Sequence, residues 1–235
     1  MTVAERAMLR LRFGVWAKLR ANVHPSFHYS HSQFGEDMVV RSLVGDRREG
    51  TYVDIGAHHP VYYSNTHHFY CKGWRGLNVD ASPRSVELLR LLRPEDINVQ
   101  ACIGSRSGER VEFHLMEPGT CSTIDARFAD ELVSTGRARR VEKQIMRCMT
   151  LEECLEQHWD GRAIDFMNID LEGADLQVLR GNNWDRYKPR VMAIEWKEAT
   201  NGEYGLDSIG WLLDMGYRVA ARVGLTVILE MTRAH

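Results

Sequence analysis

Short apolar runs alternate with longer amphipathic stretches along most of the chain after residue 50. Apolar runs of a few residues are typical of strands, whereas apolar residues at three- and four-residue spacing are typical of helices. Strands that are apolar on both faces and alternate with helices predict a mainly parallel α/β sheet with helices on each side. The predicted strands are 51–56, 75–80, 97–104, 163–170, 190–196, 217–222 and 225–231, and the predicted helices are 65–73, 85–93, 175–181 and 206–216.

The last two predicted strands are separated by only a few residues around Gly224. A parallel return needs a crossover of a dozen or more residues, so this link permits only an antiparallel hairpin. We therefore expect a sheet that is mainly parallel and has an antiparallel strand near its end.

The N-terminal segment has a different pattern. Residues 3–20 predict a basic amphipathic helix within an extension over residues 1–30, and residues 31–235 predict a single domain. Packing of this helix on the domain, or on a second subunit in a homodimer, is favoured over contact with an anionic membrane surface. Residues 117–145 are polar and rich in arginine, and we interpret them as a substrate-side insertion or lid, with a solvated charged surface as the alternative.

Composition narrows the class of protein. Lys plus Arg number 30 and Asp plus Glu number 32, and this balance argues against a nucleic-acid partner bound through bulk charge. No window approaches the roughly 18–20 apolar residues that a membrane span requires. The five cysteines form no C-x-x-C pair, and early charged residues interrupt any secretory signal. We therefore expect reduced cysteines and a cytoplasmic location.

The first predicted strand ends in a candidate cofactor loop, Asp54-Ile55-Gly56-Ala57. Gly56 allows close approach of the backbone to a ligand, but the other glycines of G-x-G-x-x-G are missing, so an NAD oxidoreductase is disfavoured. Asp80 ends the second strand, 24 residues after Gly56, where a carboxylate suits ribose hydroxyls. An acid, a small turn and a ribose acid fit S-adenosylmethionine better than NAD. The alternative is that both aspartates only cap loops.

Five ordered segments carry a family resemblance. SQFGED (32–37), the stretch 52–66 that begins YVDIGAHHP, KGWRGLNVDASP (72–83), the stretch 164–181 that begins IDFMNID, and KPRVMAIE (188–195) together resemble the FkbM-type methyltransferases. The resemblance covers roughly residues 30–200. It implies a Rossmann-like class I methyltransferase fold with a seven-stranded, mainly parallel sheet, and an S-adenosylmethionine-dependent O-methyltransferase, with sugar hydroxyls as frequent acceptors.

The resemblance also assigns site residues. It implies a cofactor set of Asp54, Gly56, Ala57, Asp80, Ala81, Cys102, Gln33, Ser64 and Asn65, and an acidic set of Asp170, Glu172 and Glu195. The acidic set lies around the ends of the fourth and fifth predicted strands, which are neighbours in the family's sheet. Clustered carboxylates suit Mg²⁺, so we expect a metal site that orients a sugar diol.

A protonated sugar hydroxyl is a poor nucleophile, so transfer needs a base within hydrogen-bond reach or a metal. Asp170, Glu195 and His59 are the candidate catalytic residues, and His58 is the second choice among the histidines. The rival to the metal hypothesis is that the acids bind sugar hydroxyls directly and a histidine is the base. Trp74 and Tyr63 border the first half of the site with aromatic faces that suit sugar C–H groups. For Trp74, packing in the core is an equally favoured alternative.

Several functions remain open at the level of sequence. The leading hypothesis is O-methylation of a sugar hydroxyl in a polysaccharide, oligosaccharide or glycolipid, such as a mannose-type bacterial glycan. A non-sugar hydroxyl, as in a polyketide or lipid, is the second. A catalytically silent cofactor-binding protein is the third, and the intact acidic set argues against it.

Overall fold

The computed structural model describes residues 5–9, 11, 29–171, 175–196 and 204–232, without the side chains of 204–207. Seven helices are described: α1 Glu36–Val44, α2 His67–Cys71, α3 Pro83–Leu92, α4 Ala126–Ser134, α5 Leu151–His158, α6 Asp175–Arg180 and α7 Tyr204–Asp214. Ten strands accompany them: β1 Thr51–Ile55, β2 Arg75–Asp80, β3 Ile97–Gln100, β4 Cys102–Ile103, β5 Arg110–Glu117, β6 Arg139–Met149, β7 Phe166–Ile169, β8 Val191–Glu195, β9 Tyr217–Val223 and β10 Thr226–Met231.

Seven strands form the main sheet, in the order β3-β2-β1-β7-β8-β10-β9. The pairs from β3 through β8 are parallel, whereas β10 runs antiparallel to both β8 and β9. The predicted mainly parallel sheet with an antiparallel hairpin is confirmed, and it has the seven strands that the family resemblance implies for a Rossmann-like fold. The strand order reverses beside β1, which lies between β2 and β7, so the ligand crevice of such a sheet is expected at the carboxyl ends of these strands.

The central strands β1, β7 and β8 are buried on both faces, as their apolar sequences predict. All five residues of β1 are buried, because Tyr52 packs into one apolar cluster while Val53 and Ile55 pack into another on the opposite face. Each fully buried large side chain contributes about 1.5–3 kcal/mol relative to an exposed one. Trp74 is only 1% exposed and belongs to the cluster of Tyr52, so it stabilises the core.

The predicted strand 97–104 is wrong as a single element. It divides at Ala101, whose N–H donates to the carbonyl of Asp80, and β4 then leaves the main sheet. Strand β4 pairs in parallel with β6, with Cys102 opposite Cys148 in the register, and β6 pairs antiparallel with β5. These three strands form a second, smaller sheet that the hydrophobic pattern did not predict.

The predicted insertion 117–145 begins and ends in strands of the second sheet. This segment forms the end of β5, a 3-10 turn at Gly119–Cys121, helix α4 and the start of β6. Met116, which lies just before this segment, packs with Ala129 and Leu132 of α4 in a small apolar cluster. The segment is therefore a packed structural unit, and whether it moves as a lid stays a prediction.

Little of the predicted N-terminal helix 3–20 lies within the described residues. Residues 5–9 and 11 are helical, and the guanidinium of Arg6 contacts the carboxylate of Glu87 on α3. Met8 and Leu11 are largely exposed. Among the described helices, none combines the length and the apolar character that a bilayer crossing requires.

Candidate active site

A cleft of about 980 Å³ lies at the carboxyl ends of β1, β2, β7 and β8. Its second wall comes from the turn 118–125 and helix α4. Ligand sites in proteins range from about 300 to 1,000 Å³, so this cleft has room for a nucleoside cofactor together with an acceptor.

The cleft brings together most of the residues that the sequence nominated. His59 does not line it, and Glu172 lies outside the described residues. The predicted residues that do line it are Gln33, Asp54, Gly56, Ala57, Ser64, Asn65, Asp80, Ala81, Cys102, Asp170 and Glu195.

Gly56 forms the tight turn at the end of β1. Its φ is +82°, and its N–H and that of Ala57 both donate to the carbonyl of Val79. A Cβ placed on Gly56 would lie 1.9 Å from the carbonyl oxygen of Asp170. The turn thus depends on glycine for its backbone conformation and for the close approach of β1 to the end of β7.

We expect Gly56→Ala to lower the free energy of unfolding by at least about 3 kcal/mol, because backbone strain adds to a clash with main-chain atoms. Gly136→Ala is the matched control, since Gly136 has a φ of +69° and nothing within 4 Å of the added Cβ. That control isolates the backbone strain of about 1–2 kcal/mol. Urea denaturation of both variants measures the difference, and equal losses would contradict the close contact with Asp170.

Asp80 lies partly exposed at the end of β2, between two backbone donors. Its Oδ2 accepts the N–H of His58 at 2.8 Å, and its Oδ1 accepts the N–H of Ser82 at 2.7 Å. Each carboxylate oxygen has two acceptor positions, so one on each oxygen remains for ligand hydroxyls. Burial among protein atoms raises the pKa of Asp80 to about 6, against the lowering effect of the two N–H donors.

Asp54 is only 1% exposed and is held by side chains on its own side of the cleft. Its Oδ2 accepts the hydroxyl of Thr66 at 2.5 Å, and its Oδ1 accepts Nδ2 of Asn168 at 2.9 Å. The hydrogen-bond network extends to Asn65, whose Nδ2 donates to Oδ1 of Asn168. Burial raises the pKa of Asp54, whereas the charge of Arg93 and the bonds from Thr66 and Asn168 act in the opposite direction. Asp54 thus fixes the polar floor of the cleft.

Arg93 lies beneath this floor, with a fully buried guanidinium. Its Nε donates to Asp96 at 2.8 Å, its Nη2 to the hydroxyl of Tyr52 at 2.6 Å, and its Nη1 to the hydroxyl of Thr66 at 3.0 Å. Thr66 in turn donates to Asp54, so Arg93 joins the buried acid of β1 to the acid that follows α3. Sequence reasoning missed this network.

We expect Arg93→Met to destabilise the protein by about 3–5 kcal/mol, because a buried acid network loses its cation. Arg90→Met is the control on the same helix, since the exposed Arg90 only donates to the carbonyl of Asn98. Its cost should stay within about 0.5 kcal/mol. Thermal and urea unfolding measure both variants, and similar losses would show that the buried ion pair is unimportant.

Asp170 and Glu195 directly follow a paired position on neighbouring strands. Ile169 of β7 pairs with Ile194 of β8 in parallel register, so the next residue of each strand projects from the same edge of the sheet. Both acids line the cleft and are partly exposed. Both acids belong to the predicted carboxylate cluster, whose third member, Glu172, lies outside the described residues, and the cluster stays a prediction.

The two histidines of the loop after β1 differ in position. His58 lines the cleft in a left-handed conformation, with a φ of 44°. Nδ1 of His59 accepts the N–H groups of Val61 and Tyr62 at 3.1 and 3.0 Å. Neutral His59 therefore carries its proton on Nε2 and offers no acceptor nitrogen to a substrate. The geometry does not favour His59 as the base.

Burial lowers the pKa of both histidine rings. It lowers the pKa of His58, so the neutral form dominates at neutral pH. Burial and the neighbouring His58 together lower the pKa of His59 to about 4. The sequence favoured His59 over His58, whereas the structure places His58 and not His59 on the wall of the cleft.

The opposite wall of the cleft comes from the second sheet and α4. Phe113 of β5 and Phe128 of α4 supply apolar surface there, and Arg127 and Arg137 lie near the same wall. Asp125 begins α4 by accepting the N–H groups of Arg127 and Phe128. The helix cap therefore fixes part of the wall, in the segment that the sequence predicted to be a substrate-side insertion or lid.

Comparisons of structure return distant methyltransferases. A TehB-like SAM-dependent methyltransferase from Corynebacterium glutamicum has a TM-score of 0.45 at 12% identity, over 99% of this chain and 100% of that chain. An O-methyltransferase from Bacillus cereus, solved with S-adenosylhomocysteine, scores 0.41 at 12% identity, over 97% and 91%. Fibrillarin from Aeropyrum pernix, solved with S-adenosyl-L-methionine, scores 0.42 at 13% identity, over 87% and 85%.

Comparisons of sequence give a family. No curated protein matches the chain significantly. The methyltransferase FkbM domain matches residues 54–219, which is more than two thirds of the chain. This match runs from the acid of β1 through the ends of β2, β7 and β8, the strands that form the cleft. The chain belongs to the FkbM methyltransferase family.

Proposed function

We propose that this protein is an S-adenosylmethionine-dependent O-methyltransferase that acts on a sugar hydroxyl of a polysaccharide, oligosaccharide or glycolipid. The observation that carries the proposal is one cleft in which Asp80 faces the adjacent pair Asp170 and Glu195 across the switch point of the sheet. The first acid suits ribose, and the pair suits a hydroxylated acceptor. Family membership supports methyl transfer as the reaction.

The residues at the cleft fit the cofactor. Asp80 has an acceptor position left on each oxygen for the ribose hydroxyls, and Gly56 keeps the turn beside it small. Ala81 and Cys102 line the adjoining part of the cleft, where a flat adenine ring would lie. When bound, S-adenosylmethionine supplies a methyl group that its positively charged sulfur already activates.

The chain's own contribution is to hold and deprotonate the acceptor. Asp170 and Glu195 accept hydrogen bonds from neighbouring hydroxyls and so fix one oxygen in line with the methyl group, about 3 Å away. One of the two carboxylates takes the hydroxyl proton during transfer. His58 is the alternative base, because its ring faces the cleft and is neutral at neutral pH.

We also propose that Asp170 and Glu195 hold Mg²⁺, with Glu172 as a further ligand that lies outside the described residues. Carboxylate oxygens at adjacent strand ends are the hard donors that this ion prefers. The ion would lower the pKa of a coordinated acceptor hydroxyl. Loss of activity in EDTA and its recovery with Mg²⁺ are the expected results, and undiminished turnover in EDTA would contradict the metal.

Sugar acceptors are favoured by the surroundings of the acid pair. Tyr63 lines the cleft and is 66% exposed, so its ring is available to the C–H face of a pyranose. Ser122, Thr123 and Asp125 add hydrogen-bonding groups from the opposite wall. Ser122 Oγ accepts the N–H of Met116 and Asp125 accepts the N–H groups that begin α4, so these polar groups are held in place by their own hydrogen bonds.

A screen with methyl-labelled S-adenosylmethionine tests the acceptor class. We expect label in hexose or oligosaccharide acceptors, including mannose-type glycans, and its loss with the matching deoxy sugar. Transfer only to polyketide or lipid hydroxyls would establish the second hypothesis. Binding of S-adenosylhomocysteine without transfer to any acceptor would instead support a silent cofactor-binding protein.

We also propose a cytoplasmic location and a homodimer. None of the five cysteines forms a disulfide bond, which suits the reducing conditions of the cytoplasm. A homodimer formed through the N-terminal helix remains a proposal, because most of residues 1–30 lie outside the described part of the chain. Sedimentation of the full chain and of a chain lacking residues 1–28 tests it.

A further inference from the structure

We propose that His31, His67 and Cys71 form a binding site for Zn²⁺, separate from the acid pair of the cleft. One donor atom from each residue lies within 4.8 Å of the others. Within the described residues, no other group of three or more histidine, cysteine or acidic side chains has this spacing. The proposal does not depend on the methyl-transfer reaction.

Two of the ligands share one face of α2. His67 and Cys71 are four residues apart, which is one helical turn, so their side chains project in the same direction. Cys71 Sγ lies 3.4 Å from His67 Nε2. Tetrahedral Zn²⁺, with Zn–S near 2.3 Å and Zn–N near 2.0 Å, places these two atoms about 3.5 Å apart. The observed pair already has the separation that a shared ion requires.

His31 completes the set from the segment before α1. Its ring lies 4.5 Å from that of His67, centroid to centroid, at an angle of 89°. The backbone of His31 is fixed at both ends, since its N–H donates to Asp37 Oδ2 at 2.7 Å and its carbonyl accepts the N–H of Ser64 at 3.1 Å. A ligand on a fixed backbone loses little conformational entropy when it binds a metal.

The buried Asp37 holds this segment firmly. It is 0% exposed, and its Oδ1 accepts the hydroxyls of Ser30 and Ser32 at 2.7 and 2.9 Å. The three donor atoms already lie within 4.8 Å of one another, so we expect coordination to involve side-chain rotation rather than movement of this held backbone. His31 and His67 are half-buried and Cys71 is exposed, so solvent can reach the site and a water can complete the tetrahedron.

The donor chemistry selects the ion. One thiolate and two imidazoles suit zinc and its neighbours in the first transition row, whereas Mg²⁺ and Ca²⁺ prefer oxygen. The site is thus chemically distinct from the acid pair in the cleft. Bound Zn²⁺ would tie residues 30–37 to α2, next to Gln33 and Ser64 on the wall of the cleft.

Cobalt spectroscopy of the full chain tests the site. Under reducing conditions, one equivalent of Co²⁺ should produce a thiolate-to-cobalt charge-transfer band and the visible bands of tetrahedral cobalt, and Zn²⁺ should abolish both. Cys71→Ser should remove the charge-transfer band, and His31→Ala and His67→Ala should each weaken Zn²⁺ affinity at least about tenfold. Cys121→Ser is the matched control, and it should leave the spectrum unchanged.

The absence of a band at one equivalent, or a band that survives in Cys71→Ser, would overturn the proposal and leave only a thiol–imidazole hydrogen bond. Thermal unfolding of each variant checks that the fold is retained, and Zn²⁺ should raise the midpoint of the wild type but not of Cys71→Ser. Titration with S-adenosylhomocysteine on the same samples separates the zinc-site hypothesis from the proposed cofactor-dependent function. Cofactor binding without a cobalt band contradicts the zinc site alone.

Discussion

Asp80→Asn is expected to weaken the binding of S-adenosylhomocysteine by about a hundredfold. A hydrogen bond to a charged group contributes about 1.5–3 kcal/mol, and the carboxylate offers one such bond from each oxygen to the ribose. The asparagine keeps a single acceptor oxygen, and its NH2 group faces a backbone donor, the N–H of His58 or Ser82. Isothermal titration calorimetry measures the loss directly.

A matched variant separates this loss from a general effect of removing charge. Glu95→Gln replaces an exposed carboxylate that lies 3.9 Å from Arg75 and does not line the cleft. We expect its affinity for S-adenosylhomocysteine to equal that of the wild type. If Asp80→Asn binds as tightly as Glu95→Gln, the ribose assignment of Asp80 is wrong.

The same residue makes cofactor binding depend on pH. Burial raises the pKa of Asp80 to about 6, so the carboxylate gains a proton as the pH falls through that value. Only the ionised form accepts from both hydroxyls, so affinity should be constant above about pH 7 and about tenfold lower at pH 5. Calorimetry across this range should give a flat profile for Asp80→Asn. A flat profile in the wild type would contradict the assignment.

Asp170→Asn is expected to lower kcat by about 10²–10⁴-fold, the usual contribution of a positioned base. The affinity for S-adenosylhomocysteine should change less than about threefold, because the proposed cofactor contacts are those of Asp80 and Gly56. The variant keeps the backbone bond from the N–H of Asp170 to the carbonyl of Ile55, so the strand end should be preserved. Single-turnover kinetics with a sugar acceptor measures the chemical step.

Two further variants complete the test of the acid pair. Glu195→Gln should resemble Asp170→Asn, since the two acids follow a paired position on β7 and β8. Asp185→Asn, an exposed carboxylate outside the cleft, should have wild-type kcat. Wild-type turnover in Asp170→Asn would remove the acid from the reaction, and a parallel loss of cofactor affinity would place it in the cofactor site instead.

Most of the main sheet was predictable because its information is local. Strands such as β1 and β8 are short apolar runs bounded by turn residues, and the direction of the final hairpin follows from the length of its link. Asp80 was found because it ends the second predicted strand, and the carboxyl ends of parallel strands meet at one edge of the sheet. Asp170 and Glu195 were assigned by the family resemblance, and they lie at the same edge.

The second sheet was not predictable in the same way. β6 is mostly exposed and rich in charge, so it shows no clear alternation of apolar and polar positions. Its formation depends on pairing with β5 and β4, and those partners are distant in sequence. Long-range pairing stabilises such a strand without leaving a period in its own residues.

By itself, the sequence determined the order of the main-sheet strands along the chain, the glycine turn after β1 and the acids at the strand ends, because each follows from a local pattern. Tertiary structure decided which of several similar residues is buried and which lines the cleft. Arg90 and Arg93 have the same chemistry and occupy neighbouring turns, yet only Arg93 is enclosed by the acids of other elements. His58 and His59 differ by one residue, and the backbone angle at His58 selects which of them lines the cleft. Burial and side-chain direction come from the packing of distant segments, and this packing assigns roles to residues of the same type.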